Sequence, residues 1–280
     1  MNSPNVKPIA SAILATYNSE KTIVAALSSL LTQTVPIEII VVDDGSTDQT
    51  KAIVKNFPSV TYLSQKHLGP AKARNLGAKK ASGNILLFVD ADMTFDPHYV
   101  EDLINPILGG KTIGTYTINE RVANWDNPLA RCWNIQEGWE NKKRFPPNPP
   151  KYGTDYRAIL KSAFDQVGGF DDIGYTDTWS LFNKLGVRPL ATHALCYHHN
   201  SNSFASVYRQ AKWSAKRPYK YGFIGSLYAL VRTSLPLSLI IAITKSLTHH
   251  NLYFLSFKLV YDYGRFVGIL EMLTTGKLSK

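Results

Sequence analysis

Acidic residues follow two of the apolar segments in this sequence, at places where β-strands are expected to end. The first cluster comes directly after residues 38–42, and the second directly after residues 85–89. In chain order they comprise Asp43, Asp44, Asp48, Asp90 and Asp92. Unpaired carboxylates are costly to bury, and ligands of open α/β sheets bind at the carboxyl ends of strands, so both clusters are expected to face one cleft. Carboxylates prefer hard divalent cations, which bind phosphate oxygens, so the pattern predicts a site for a metal ion and a phosphorylated ligand.

The first half of the sequence alternates between short apolar segments and helical patterns. The predicted strands span residues 9–15, 38–42, 60–63 and 85–89, and the predicted helices span 20–31, 48–55, 70–81 and 97–108. Strands separated by helices of this length form parallel βαβ units. The later, less regular part is expected to hold strands at 113–119 and 190–197 and helices at 125–142 and 178–184, with a segment at 156–160 that follows a proline-rich loop. The sequence therefore predicts an α/β fold with a Rossmann-like, mostly parallel sheet and helices on both faces.

Composition excludes two classes of protein. With 44% hydrophobic residues, the 280-residue chain can build a sizeable core, which excludes wholesale disorder. Cys132 and Cys196 are its two cysteines, which excludes a disulfide framework and fits a reducing compartment. The first residues show no secretory signal pattern, so an intracellular protein is expected.

Most of the excess positive charge belongs to the last quarter of the chain. The net charge is +10, and residues 203–280 hold eleven Lys or Arg against two acidic residues. Basic residues are mixed with aromatic ones between residues 204 and 221. This mixture suits an anionic membrane surface, and no nucleic-acid recognition motif accompanies it, so no nucleic-acid partner is expected. Binding of an acceptor or a diphosphate is the rival use of these charges.

Two uncharged segments follow, at residues 233–244 and 246–257. Each has twelve residues, short of the ~20 that a membrane-spanning helix needs. Asn251, Lys258, Asp262 and Arg265 then share one narrow stripe of a helix predicted over 252–273. We expect membrane association in the plane of the interface, at the cytoplasmic face of the cell membrane. A shallow hairpin and a soluble helical lid are the alternatives.

Four motifs, in order between residues 13 and 186, resemble those of the inverting family 2 glycosyltransferases with the GT-A nucleotide-sugar-binding fold. They read ILATYN, EIIVVDDGSTD, GPAKARNLGAKKASGNILLFVDADM and GGFDDIGYTD. The resemblance implies a nucleotide-diphosphate sugar donor, a divalent metal (Mn²⁺ or Mg²⁺) and transfer of the sugar to an acceptor hydroxyl with inversion. A glycan or a lipid-linked acceptor is expected. We assign residues 1–203 to the catalytic domain and 204–280 to a basic, apolar helical region.

The resemblance also implies roles for residues of the nucleotide pocket. Ala15 and Tyr17 would line it, and Asp44 would hold the base. Arg74 matches a position that helps to hold the nucleotide, although it could instead be a solvated helix charge. Asp43 could bind the nucleotide or support a turn, and Tyr17 could be a packed aromatic residue. Asp48 is interpreted as a turn or helix cap alone.

A second group would hold the sugar and the metal. Asp90 would reach the ribose or the sugar, and Asp92 would coordinate the metal on the diphosphate. Among the histidines around the last predicted strand, His198 is the candidate for a further metal ligand, ahead of His193 and His199. Imidazole is an acceptable ligand for Mn²⁺, although an ordinary packing role is the commoner one for such histidines.

The general base is expected in the last motif. In the family an acidic pair follows GGFD, and its second member takes the proton from the acceptor hydroxyl. This sequence has Thr176 and Asp177 there, so Asp177 is the predicted base. The alternative is that Asp177 only caps the helix after it, and Asp171 and Asp172 are rivals for the base.

Two other function classes compete with the transferase interpretation. Nucleotidyltransferases also bind nucleotide and metal at strand ends, but they usually carry a glycine-rich basic loop after the first strand. The corresponding segment here, ATYNSEKT, contains no glycine. A non-catalytic nucleotide-sugar-binding relative is the other alternative, because Thr176 replaces the first acid of the pair.

Overall fold

The computed structural model describes residues 8–173 and 177–279, with the side chain of Asp177 excepted. The chain forms two compact units. The first unit runs to Glu120 and adds Pro149–Asp172 and Asp177–His198. The second comprises Arg121–Asn148, Ile173 and the residues from His199 onward. The two units are thus interleaved along the chain, and the boundary proposed between residues 203 and 204 stays a prediction.

The described residues form eight strands and eleven helices. The strands are β1 (Ala10–Thr16), β2 (Ile37–Asp43), β3 (Val60–Ser64), β4 (Ile85–Asp90), β5 (Met93–Phe95), β6 (Gly114–Val122), β7 (Ala158–Leu160) and β8 (Leu190–His198). The helices are α1 (Ile23–Leu31), α2 (Thr50–Val54), α3 (Pro70–Lys80), α4 (Tyr99–Leu108), α5 (Pro128–Glu137), α6 (Lys161–Gln166), α7 (Asp177–Leu185), α8 (Phe204–Ala215), α9 (Gly222–Arg232), α10 (Leu235–Thr248) and α11 (Tyr253–Thr275).

The strands form one mixed sheet in the order β3-β2-β1-β4-β7-β6-β8-β5. The first four strands of this order run parallel, whereas β7 is antiparallel to β4 and β6, and β5 is antiparallel to β8. The prediction of a mostly parallel sheet is therefore correct only for the first four strands. Antiparallel neighbours need no helical crossover, which explains why the regular strand–helix alternation of the sequence stops near residue 110.

Helices cover both faces of the sheet, as predicted. Alternate residues of β1 point to opposite faces, so that Leu14 packs with α1 and α4 while Ile13 packs with α3, α6 and α7. Each fully buried aliphatic side chain of this kind contributes about 1.5–3 kcal/mol to folding. The two cores hold the parallel strands rigidly, and with them the residues at the strand ends.

Three elements differ from the sequence prediction. Strand β5 and helix α6 were not predicted, because segments of three and six residues are too short to show a period. The helix predicted over 125–142 is shorter, since the side chain of Asn127 accepts hydrogen bonds from the backbone N–H groups of Leu129 and Ala130 and so starts α5 there. Gly138 ends α5 in the left-handed conformation, with φ +69°.

The second unit is a helical bundle. Its core comprises Leu129, Cys132, Trp133, Val207, Ala211, Phe254, Phe257 and Tyr261. The stripe predicted on the last helix lies partly inside this bundle, because Lys258 and Asp262 are both buried and form an ion pair at 3.0 Å. No single described helix is long and apolar enough to cross a membrane; α9 and α10 reach that length and composition only together, and they are bent by 57°.

Candidate functional site

The ends of three neighbouring strands bring the two acidic clusters to one edge of the sheet. Strand β1 lies between β2 and β4, with Thr16 paired to Asp43 and Ala15 paired to Asp90. Ala15 therefore lies at the centre of this edge, between the two clusters. The shared edge that the spacing of the acidic residues predicted is present.

Asp43 is 2% exposed and supports the local structure. Its carboxylate accepts a hydrogen bond from the backbone N–H of Ser46 at 2.8 Å and another from the hydroxyl of Tyr62 at 2.7 Å. Burial and the hydrogen bond to Asp43 raise the pKa of Tyr62 well above its usual value, so Tyr62 stays a donor. Asp48 likewise accepts from the N–H groups of Thr50 and Glu20, at 3.0 and 3.1 Å, as expected for a residue that caps the turn before α2.

Asp44 holds the loop that precedes α3. Its carboxylate accepts hydrogen bonds from the backbone N–H groups of Leu68 and Gly69, at 2.8 and 2.9 Å, and from the side-chain amide of Gln65 at 2.6 Å. The ring Nδ1 of His67 lies 2.9 Å from the same carboxylate. Gly69 has φ +97°, a backbone conformation that side-chain-bearing residues rarely adopt. Asp44 is 4% exposed, and these contacts shape the loop at the strand edge. Its role in holding the base stays a prediction.

His67 of this loop and Tyr17, which follows β1, form an aromatic surface. The rings of Tyr17 and His67 stack with centroids 4.2 Å apart and an interplanar angle of 26°. Tyr17 is 46% exposed, so it is not a buried packing residue. A stacked, half-exposed pair of rings is suited to contact the flat face of a base.

Asp90 lies between two arginines. Its carboxylate is 3.3 Å from Nη2 of Arg74 and 3.0 Å from Nη1 of Arg157. Burial opposes its charged form, but Arg157, Arg74 and His198 outweigh burial and hold the pKa of Asp90 well below its usual range. The side chain of Arg74 is 14% exposed, so the alternative of a solvated helix charge is wrong.

Further contacts lead from Arg157 to His198, the second of the two predicted metal ligands. Arg157 reaches Glu120 at 3.5 Å, and Nδ1 of His198 lies 2.7 Å from Glu120. On its other side, Nε2 of His198 lies 3.2 Å from Oδ1 of Asp92. The pairing of β5 with β8 causes this approach, because it sets His198 opposite Met93, the residue after Asp92. His193 and His199 are both exposed.

The donor set of Asp92 and His198 fits a divalent cation. A nitrogen and an oxygen that bind one cation at right angles lie about 3 Å apart, close to the 3.2 Å found between these two side chains. Glu120 on Nδ1 would leave the lone pair of Nε2 directed toward Asp92, as in metal-binding histidines whose other ring nitrogen donates to a carboxylate. Among residues 8–173 and 177–279, no group of three His, Cys, Asp or Glu side chains is arranged to hold a metal. The remaining ligands would have to come from a bound diphosphate and water.

The predicted general base begins helix α7, but the side chain of Asp177 and all of Thr176 lie outside the described residues. Its two rivals form surface ion pairs. Asp171 lies 2.8 Å from Lys184, and Asp172 lies 3.0 Å from Lys72. The assignment of Asp177 therefore stays a prediction.

The sequence interpretation missed three residues of this site: His67, Glu120 and Arg157. They lie outside the residues singled out in the motifs, and Glu120 and Arg157 come from the irregular second half of the sheet. One signal was available, because Arg157 precedes the apolar strand β7, and a charge next to a buried strand needs a partner. Glu120, just past the strand predicted over 113–119, gave no comparable signal.

Comparison with known proteins identifies the family. Residues 11–168, more than half of the chain, match the sequence profile of "Glycosyl transferase family 2". The poly(ribitol-phosphate) beta-N-acetylglucosaminyltransferase TarS of Staphylococcus aureus is 42% identical over 100 residues, which are 33% of this chain and 18% of TarS. The glycosyltransferase GlyA of Streptococcus pneumoniae is 41% identical over 101 residues, 34% of this chain and 14% of GlyA. The matches thus span less than a fifth of either relative.

Two solved structures share the fold. The mannosyltransferase PcManGT of Pyrobaculum calidifontis, in complex with GDP-Man and Mn²⁺, aligns with a TM-score of 0.58 at 18% identity, over 98% of this chain and 89% of its own. The 1–349 portion of S. aureus TarS, in complex with UDP-GlcNAc, aligns with a TM-score of 0.53 at 18% identity, over 96% and 92% of the two chains. This likeness agrees with the expected GT-A fold. The profile match shows that the chain belongs to glycosyl transferase family 2.

Proposed function

We propose that this enzyme transfers a sugar from a nucleotide-diphosphate sugar to an acceptor hydroxyl, with inversion and with the help of a divalent cation. The observation that carries the proposal is the continuous set of contacts from Arg74 through Asp90, Arg157, Glu120 and His198 to Asp92. It lies at the carboxyl ends of the strands, where open α/β sheets bind ligands. The sugar nucleotides named with the related structures support the same class of donor.

Each part of the site has a separate task in this proposal. The stacked rings of Tyr17 and His67 contact the base, and the loop held by Asp44 positions them. Asp90 accepts hydrogen bonds from the ribose or sugar hydroxyls, and its charged state is maintained by Arg74 and Arg157. A cation held by Asp92 and His198 would supply positive charge next to the leaving diphosphate.

The metal assignment predicts a loss of metal-dependent donor binding in the Asp92→Asn variant. The amide is a neutral and weaker ligand, so Mn²⁺ and a nucleoside diphosphate together should no longer raise the melting temperature as they do for the wild type. Thermal unfolding with UDP or GDP, with and without Mn²⁺, measures this. Glu120→Gln should weaken the affinity for Mn²⁺ about 10- to 100-fold, because the amide no longer fixes the ring of His198 as a carboxylate does.

The control for this experiment is Asp165→Asn, which removes a carboxylate from an exposed ion pair with Lys161. It should leave the metal-dependent stabilisation unchanged. If Asp92→Asn also retains the full Mn²⁺-dependent shift, Asp92 does not hold the cation.

We also propose that the second unit binds a membrane surface at the cytoplasmic face, and that the acceptor is a glycan or a lipid-linked glycan of the cell surface. Helices α9 and α10 expose many large apolar side chains, among them Phe223, Leu227, Val231, Leu235, Ile240, Ile243 and Leu247. A contiguous exposed apolar surface of this kind marks an interaction site.

The poly(ribitol-phosphate) acceptor in the name of TarS supports a cell-surface glycan. Cys132 and Cys196 are free and buried, which fits a reducing compartment.

Flotation with liposomes tests the membrane proposal. The Val231→Gln/Ile240→Gln variant removes two side chains that are 59% and 61% exposed, so its partition into phosphatidylglycerol-containing liposomes should fall about 10-fold. The matched control is Val24→Gln/Leu108→Gln, which changes two exposed apolar residues of the first unit. Equal partition of the wild type and both variants would contradict the proposal.

A further inference from the structure

The second unit contains a cavity of about 710 Å³ between α5, α9, α10, α11 and the segment that joins α8 to α9. All of its lining residues belong to that unit, and none belongs to the acidic edge of the sheet. Five cationic side chains line it: Arg217, Lys220, Arg232, Lys258 and Arg265. Two carboxylates, those of Glu137 and Asp262, also line it. The cavity therefore carries an excess of positive charge.

The two carboxylates do not neutralise the cations at the mouth of the cavity. We define the mouth by the exposed lining residues Lys220, Tyr221, Ile224, Tyr228 and Arg232. Asp262 is used internally, since it pairs with Lys258 at 3.0 Å and accepts a hydrogen bond from the hydroxyl of Ser238 at 2.6 Å. Burial raises the pKa of Glu137 above its usual value, although Arg265 and other cations act in the opposite direction. Among the residues that the structure describes, Lys220 and Arg232 form no ion pair with a carboxylate. Positive charge in the cavity is thus available to a bound anion.

The mouth of the cavity is aromatic and apolar. The ammonium of Lys220 lies 5.1 Å from the ring centroid of Tyr221, and the guanidinium of Arg232 lies 5.9 Å from that of Tyr228. Tyr221, Ile224 and Tyr228 line the cavity yet are 75%, 74% and 64% exposed. Amphipathic rings next to cations are typical of the boundary between lipid headgroups and acyl chains.

The backbone at the mouth is unusual. Tyr221 has φ +68°, a left-handed conformation that is rare for a bulky residue. Helix α9 starts at the next residue, so this conformation stands directly before the first turn of α9. Strain of this kind persists where the surrounding structure enforces it, and it is concentrated at binding sites.

We propose that this cavity binds the phosphate headgroup of a membrane lipid, with the hydrocarbon chain lying along the exposed apolar surface of α9 and α10. Arg217, Lys220, Arg232 and Arg265 provide the charge that complements a phosphate, and guanidinium groups bind phosphate oxygens in pairs. A soluble anion would leave the exposed side chains at the mouth without a partner, whereas a phospholipid satisfies both features. The inference extends the proposed membrane association and depends on it for its biological meaning. It does not depend on the sugar donor.

Titration of the full chain with monomeric dodecyl phosphate, below its critical micelle concentration, tests the site by calorimetry. Dodecyl maltoside, which has the same chain and a neutral headgroup, and inorganic phosphate, which has no chain, are the two comparison ligands. We expect measurable binding of dodecyl phosphate and at least about 10-fold weaker binding of the other two. Equal affinity for dodecyl maltoside would overturn the role of the cations. Equal affinity for inorganic phosphate would overturn the lipid as the ligand.

A pair of charge-matched variants locates the site. Lys220→Gln/Arg232→Gln removes two exposed cations of the cavity, and Arg209→Gln/Lys277→Gln removes two exposed cations elsewhere in the same unit. The first variant should lose about 30-fold in affinity for dodecyl phosphate, and the second should keep the wild-type affinity. Equal losses, or no binding by the wild type, would overturn the proposal. Asp92→Asn should bind dodecyl phosphate normally, so failure of this site is distinguishable from failure of the proposed metal-dependent transfer.

Discussion

Replacing Asp177 with asparagine is expected to lower the rate of sugar transfer by about 10²- to 10⁴-fold, the usual contribution of a general base. Asparagine cannot take the proton from the acceptor hydroxyl at neutral pH. It is, however, as good a helix cap as aspartate, and Asp177 is the first residue of α7. The substitution therefore separates the two interpretations of this residue, because a residue that only caps the helix tolerates asparagine.

Steady-state transfer from a sugar nucleotide, together with the Kd of the nucleoside diphosphate and Mn²⁺, measures this effect. The loss should be confined to kcat, with donor affinity unchanged, because the base acts on the acceptor. Asp171→Asn and Asp172→Asn are the informative companions, since both side chains form surface ion pairs with lysines and should retain most of the activity. Near-normal turnover of Asp177→Asn, or a larger loss in either companion, would remove Asp177 from this role.

The parallel half of the sheet and its acidic edge could be predicted from the sequence because their signals are local. Buried parallel strands appear as continuous apolar runs, and the acids that end β2 and β4 follow those runs directly. The order of these strands was not predicted, but the carboxyl ends of parallel strands meet at one edge of an open sheet whatever their order. The common edge that joins Asp44, Ala15 and Asp90 needed no other information.

The second half of the site could not be predicted from local patterns. Glu120 lies in β6, Arg157 directly precedes β7, and His198 ends β8. These segments are far apart in the sequence, and only the pairing of the strands brings the three residues together. Strand β7 has three residues, too few to specify a register by alternation. His198 was found through the resemblance to the family, whereas its partner Glu120 required the structure.

For the last helix, the sequence identified the polar stripe that includes Lys258 and Asp262, but it did not predict that these two residues are buried. Lys258 and Asp262 are four residues apart and share one helix face, as a solvated pair or a membrane-surface pair would. In the structure α8 and α10 pack against α11, and both charges lie inside the second unit. Gly264 and Gly268 of α11 allow this packing, because a Cβ at either position would lie within 2.7 Å of a backbone carbonyl oxygen of α8.

The burial of this ion pair leads to a prediction about stability. Asp262→Asn should lower the free energy of unfolding by about 3–5 kcal/mol, because the ammonium of Lys258 would stay buried without a counter-charge. The hydroxyl of Ser238 can still donate to the amide, so the loss reports on the charge more than on the hydrogen bond. Urea unfolding followed by tryptophan fluorescence at neutral pH measures it, since Trp133 packs against Tyr261 in the core of the same unit.

Glu271→Gln is the matched control on the same helix. Glu271 forms ion pairs with Lys212 and Lys216 at the surface, so its replacement should cost less than about 1 kcal/mol.

Burial lowers the pKa of Lys258 below its usual value, so the folded state binds this proton less tightly than the unfolded state. Stability of the Asp262→Asn variant should therefore rise, relative to the wild type, as the pH increases from 7 toward 10, because Lys258 loses its charge.

The Lys258→Met/Asp262→Leu variant should be close to the wild type in stability, since apolar side chains of similar volume can replace a buried pair at little cost. A loss in Asp262→Asn no larger than in Glu271→Gln would mean that water reaches Lys258 and that the pair is solvated in solution.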